Sequence, residues 1–131
     1  MKPLVAVVVI LFVALYFLMN APLIQDSTLK WLEKNPKSPD APAVLLRSAL
    51  WCDWTGGDEQ ALLLYRTIWE KYPEAASHCA QALYETAYYY SQTTSRRSAN
   101  PFLEKLFSEY EGQEKWRAKG KQLWDEVNHV L

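Results

Sequence analysis

The chain repeats itself. Residues 45–73, slid along the sequence by 38 positions, meet a second copy without a gap. Leu45 falls on Leu83, Ala49 on Ala87 and Cys52 on Tyr90. Further on, Ala61 falls on Ala99, Tyr65 on Leu103, Ile68 on Leu106, Trp69 on Phe107 and Tyr72 on Tyr110. Most of these pairs agree in size and polarity, in one register. Their spacing is helical, because a strand would alternate in twos. A repeat of this length marks a supersecondary unit that cannot bury its apolar face alone and must stack on a neighbour. The phrase YRTIWEKYP, from Tyr65 to Pro73, is part of the echo, with KWLEKNP upstream and EKLFSEYE downstream.

Each copy divides into two helices. In the first copy the spacing predicts a helix from about Pro42 to Trp54, with Leu45, Ala49 and Cys52 on one face. Thr55-Gly56-Gly57 breaks it, and Asp58 is placed to cap a second helix by accepting from free N–H groups of its first turn. That helix carries Ala61, Tyr65 and Ile68 on one stripe and stops before Pro73, which cannot donate to a continuing ladder. The small Ala49 and Ala61 let two helices cross closely while a ring from the other side fills the gap. The second copy predicts helices over about Ser77–Ser91 and Ala99–Tyr110, joined by a polar loop. Leu29, Trp31 and Leu32, ahead of Asn35-Pro36, read as the end of an earlier half repeat. Gln113–Leu131 reads as a last helix with Trp116, Gly120, Leu123, Trp124, Val127 and Leu131 on its stripe.

This pattern resembles the tetratricopeptide repeat family, in a bacterial cell-envelope flavour. The resemblance rests on Leu45, Ala49, Cys52, Gly56, Ala61, Tyr65, Ile68 and Pro73 in the first copy. In the second it rests on Leu83, Ala87, Tyr90, Ala99, Leu103 and Leu106, and overall it covers about 28–131. The period is 38 rather than the family's usual 34, and Ile68, Leu106 and Glu111 depart from its pattern. It implies an all-α fold, a short helical-hairpin solenoid closed by a C-terminal capping helix. In such a register the first helices of the two copies lie side by side. Cys52 and Cys79 are then separated by roughly 16 Å of helix rise, beyond the reach of a disulfide, and both are expected as free thiols.

The first 25 residues are of another kind. Sixteen unbroken apolar residues run from Leu4 to Met19. Counted on to Ile24 as one helix, they reach roughly 30 Å, enough for a bilayer core. A signal peptide shares the leading Lys2, but Met19-Asn20-Ala21 is a poor cleavage site because a bulky Met holds the outer position. The expectation is a single-pass anchor over 1–25, with Leu4, Val8, Phe12, Tyr16 and Leu18 facing lipid, and a repeat domain over 26–131. A short tail ahead of an apolar run favours a body outside the inner membrane, in the periplasm. Lys30, Lys34 and Lys37 pull the other way.

Chemistry is sparse. The body beyond residue 25 holds 13 basic and 15 acidic side chains, so no basic field draws it to nucleic acid. There is no Gly-rich phosphate loop, and the only adjacent reactive pair is His78-Cys79. Neighbours on a helix point about 100° apart, and no second pair completes a metal set, so no metal, cofactor or enzymatic activity is expected. The basic string EKWRAKGKQ puts Lys115 and Lys119 on one side of its helix and Arg117 and Lys121 on another; a solvated face is the commoner reading than a lipid headgroup site.

The other face of the first helices is where the resembled family lines a concave groove for a peptide or partner helix. Here that face carries Leu46, Leu50 and Asp53, then Tyr84, Tyr88 and Ser91, and on the last helix Arg117, Lys121 and Trp124. An apolar floor with phenols and two bases suits a segment of acidic character. The plainer alternative is that these rings pack on a neighbouring helix. Two functional readings follow: a membrane-tethered adaptor that captures a protein partner, or an accessory subunit of a larger membrane complex, for example respiratory or photosynthetic.

Overall fold

Helix breakers in the sequence set the joints. The computed structural model describes residues 2–93 and 95–129. Among them are seven α-helices and no strand: α1 (Lys2–Leu18), α2 (Ala21–Lys34), α3 (Ala41–Trp54), α4 (Asp58–Lys71), α5 (Ala76–Thr93), α6 (Asn100–Glu109) and α7 (Glu114–Asn128). A 3-10 turn, Arg96–Ala99, fills part of the segment read as loop. The fold is all-α. Leu131, expected at the end of the last apolar stripe, lies outside the described residues. The chain forms two compact units, 1–64 and 65–131.

In the first unit α2 packs against α3. The hydroxyls of Thr28 and Ser48 share a hydrogen bond of 2.8 Å between these helices. The core side of α3 is Ala41, Pro42, Leu45, Leu46, Ala49 and Cys52. The turn after it is a Schellman motif: Gly57 N–H donates to the Cys52 carbonyl (2.8 Å) and Gly56 N–H to that of Asp53 (3.2 Å). Gly56 takes the left-handed φ of 85° that this closure requires. The closure moves the next helix start. The Gly57 carbonyl accepts the first bond of α4, from Ala61 N–H at 2.9 Å. Asp58 is therefore the first residue of the helix rather than its cap, and with Glu59 it places negative charge at the positive end of the dipole.

The expected continuous helix from Leu4 to Ile24 is broken. The Asn20 side chain accepts from Leu23 N–H at 3.2 Å and so starts a new helix, with Pro22 in its first turn. α1 and α2 meet at 74°. No single described helix is long and apolar enough to cross a membrane, though α1 and α2 counted together have the length and composition. Every residue of α1 is exposed, including Leu4, Val8, Phe12, Tyr16 and Leu18.

In the second unit α5 packs on α6, on α7 and on the 3-10 turn, and α6 packs on α7. Gly120 takes the small place foreseen for it: a Cβ there would stand 2.9 Å from Leu106 Cδ2 and 3.2 Å from Phe107 Cε1. Asn100 and Asn128 exchange two amide hydrogen bonds, 2.8 and 2.9 Å, tying the first residue of α6 to the last of α7.

Burial follows the 38-residue offset. Leu45, Ala49 and Ile68 and their counterparts Leu83, Ala87 and Leu106 are all fully buried, as are Ala61 and Tyr65 with Ala99 and Leu103 to within 2%. Tyr72 and Tyr110 match at 9% and 7%. The pair that fails is Cys52 and Tyr90. The thiol is buried, whereas the phenol is half-buried and stacks on Phe102 at 5.1 Å and 7°.

Candidate interaction site

The two reactive thiols come first, because burial decides what they can do. Cys52 Sγ donates to the Ala21 carbonyl at 3.7 Å, and burial pushes its pKa up to about 11. Cys79 Sγ donates to the Tyr72 carbonyl at 3.1 Å. Burial raises its pKa too, with the Tyr110 hydroxyl bond pulling weakly the other way. The Tyr110 hydroxyl donates to the Pro73 carbonyl at 3.2 Å. Both cysteines are free. A buried thiol that stays protonated is a poor nucleophile and a poor metal ligand. Among the described residues no three His, Cys, Asp or Glu side chains gather in a way that could hold a metal ion.

The candidate groove residues fall into distinct settings. In the first unit Leu46 is buried in the α3 core, while Leu50 and Asp53 are half-buried. In the second unit Tyr84 and Tyr88 stand one turn apart on α5, ring centres 6.3 Å apart. Tyr84 also meets Trp116 of α7 at 5.8 Å. Lys119 Nζ lies 4.9 Å from the Trp116 ring centre and 5.9 Å from that of Tyr84, and Lys115 Nζ lies 4.8 Å from the Trp116 ring centre. The cations attract the π faces and cover them from water. Burial, then the charges of Glu85, Tyr88 and Glu126, raises the Tyr84 pKa. Tyr84 is thus a packing residue of the α5–α7 contact, while Tyr88, 48% exposed, is left open. Ser91 is buried and donates to the Tyr88 carbonyl at 2.6 Å, so its hydroxyl serves its own helix rather than a ligand.

Arg117, Lys121 and Trp124 lie elsewhere on α7. With Phe107, Glu114, Ala118 and Asp125 they line an open hollow of about 710 Å³. Trp124 stands edge-on to Phe107 at 6.1 Å and forms an apolar wall. Arg117 Nη1 donates to the Glu111 carbonyl at 3.3 Å, while its Nε is buried without a protein partner. Helix geometry explains the division: Trp116 lies on the line of the buried Gly120–Leu123–Val127 stripe with Lys119 on one flank of it, and Arg117, Lys121 and Trp124 lie on the other flank. Trp116 keeps its expected place on the core stripe, half-buried against Tyr84, while Lys119, expected in a solvated string, lies over both rings. Sequence reasoning did not name Phe107 as a wall, although its place beside Leu106 and one turn after Leu103 puts it at the edge of the α6 core face.

Comparison with protein-family models, curated proteins and solved structures found no match.

Proposed function

We propose that this chain is a membrane-anchored interaction scaffold. In this reading α1 holds it at a bilayer, and the helical body, a short tetratricopeptide-like solenoid with α7 as its capping helix, takes an acidic segment of a partner protein. The equal burial of residues 38 apart supports the repeat reading. The observation that carries the binding reading is the hollow beside α7. It has two aromatic walls, Phe107 and Trp124, and two cations, Arg117 and Lys121, beside two carboxylates, Glu114 and Asp125. One of the cations is a guanidinium, the side chain whose planar fork of donors matches a carboxylate. An aromatic anchor beside a fork of donors is the composition of an interaction hot spot.

The test uses the full chain in mild detergent and a set of acidic amphipathic peptides, read by fluorescence anisotropy. Arg117→Glu with Lys121→Glu is expected to weaken binding by at least tenfold, since each lost charge-assisted bond is worth about 1.5–3 kcal/mol, and Lys121→Glu alone, at an exposed position, is expected to weaken it at unchanged melting temperature. Tyr88→Ala, at an open position, is expected to leave stability unchanged and reports whether the groove extends to α5. Stoichiometric co-purification with a cofactor-bearing complex, and no peptide binding, would instead favour the accessory-subunit reading.

A further inference from the structure

At the far end of α3 the molecule exposes two large rings that no repeat position requires. Trp54 is 73% exposed and Trp51 39%. Their centres lie 5.2 Å apart. Trp51 Nε1–H donates to the carbonyl of Leu18, the last residue of α1. The turn that follows them, Thr55–Gly57, faces the end of α1 across a hollow of about 680 Å³ whose other walls include Tyr16, Met19 and Pro22. The two tryptophans and the end of the apolar helix therefore stand at one level.

We propose that Trp51 and Trp54 form an interfacial collar, seated in the headgroup layer of the same bilayer that takes α1. The inference rests on the anchor reading and specifies how the body meets the lipid. The occupant is lipid rather than a protein groove because α1 is apolar on every side and buries nothing. A helix meant for a groove would carry one apolar stripe and a polar back. The length of α1 bears on the collar rather than on the anchor. Seventeen residues rise about 25 Å, some 5 Å short of a typical hydrocarbon core of about 30 Å. A short span is accommodated by drawing flanking residues into the interface, and Trp is the side chain best suited there, with an apolar body and one N–H. The Trp51 bond to Leu18 has a second effect. It satisfies one of the carbonyls left free at a helix end, which in lipid has no water to turn to.

The experiment reconstitutes the full chain into phosphatidylcholine–phosphatidylglycerol vesicles whose acyl chains carry bromine at a shallow or a deep carbon. Flotation reads membrane attachment, and tryptophan quenching reads depth. The collar predicts that shallow bromine quenches about a third of the emission, two rings of six, and more than deep bromine does. Trp51→Phe with Trp54→Phe is expected to lose most of that quenching while still floating. Trp54→Phe alone, at a position with no hydrogen bond to lose, is expected to lose roughly half of it. Flotation with quenching unchanged in both variants would overturn the collar and leave the anchor standing. Failure of the unaltered chain to float would overturn the anchor, and the collar with it.

Discussion

Gly56 and Gly57 are adjacent, yet the structure requires each to be glycine for a different reason, and a mutational cycle separates the two. At Gly57 an added methyl runs into the Ala21 methyl at the start of α2 and stands 3.3 Å from the Cys52 carbonyl oxygen. That oxygen is fixed, because it accepts the 2.8 Å bond closing the turn. Overpacking of this kind costs about 1–3 kcal/mol. At Gly56 nothing lies within 4 Å of an added methyl, and the cost comes only from its φ of 85°; for an L residue that is about 1–2 kcal/mol. Gly57→Ala should therefore lower the melting temperature by roughly 8 °C for a loss of about 2 kcal/mol. Removing the obstructing methyl with Ala21→Gly should restore most of the loss, once its own cost of about 0.5–1 kcal/mol is subtracted. The coupling energy between positions 21 and 57 is expected to exceed about 1 kcal/mol, whereas that between 21 and 56 should lie within about 0.5 kcal/mol of zero. Urea unfolding followed by circular dichroism supplies all the values. Additivity at positions 21 and 57 would refute the close approach of α2 to this turn.

Two further outcomes follow from the buried groups. Burial raises the Cys52 pKa from 9.0 to about 11, so between those values the unfolded chain has lost a proton that the folded chain keeps, and stability should fall as pH rises through that window. Cys79 and Tyr110, both raised chiefly by burial, add to the same slope, and iodoacetamide at pH about 8 should label native thiols at least a hundredfold more slowly than denatured ones. In Gly120→Ala the helix gains about 1 kcal/mol of propensity. Crowding against Leu106 and Phe107 costs about 1–3 kcal/mol. A net loss of about 1 kcal/mol is expected by chemical denaturation, with Gly120→Leu several times worse.

The helical body was legible because its information is periodic. Leu45, Ala49, Ile68 and their echoes could be placed in the core from spacing alone, and burial matches pair by pair. What escaped was decided by single side chains acting on the backbone. In a hydropathy reading Asn20 is one polar residue near the end of a greasy run. In the fold its side-chain oxygen Oδ1 caps α2, where the chain turns by 74°. The start of α4 lies one residue earlier because the Gly57 carbonyl, not the Asp58 side chain, begins its ladder. The residues of the candidate groove do not fall into one group. Arg117 and Tyr84 were assigned to one face, and the packing of α5 against α7 brings Tyr84 to Trp116 instead. Contacts between helices some thirty residues apart depend on how far each helix rotates about its axis, which local pattern does not fix.

The paired carboxamides of Asn100 and Asn128 have a consequence for descent. Each offers the other one donor and one acceptor, so the circuit closes only when both are present. Asp at one position sets oxygen against oxygen, and Leu at one position strands the other amide. A change at one position alone should therefore cost more than a matched change at both. The two codons should be inherited as one character, changing together or not at all, and in a set of descendants that joint change would record the docking of α7 on α6 more durably than any single apolar residue between them.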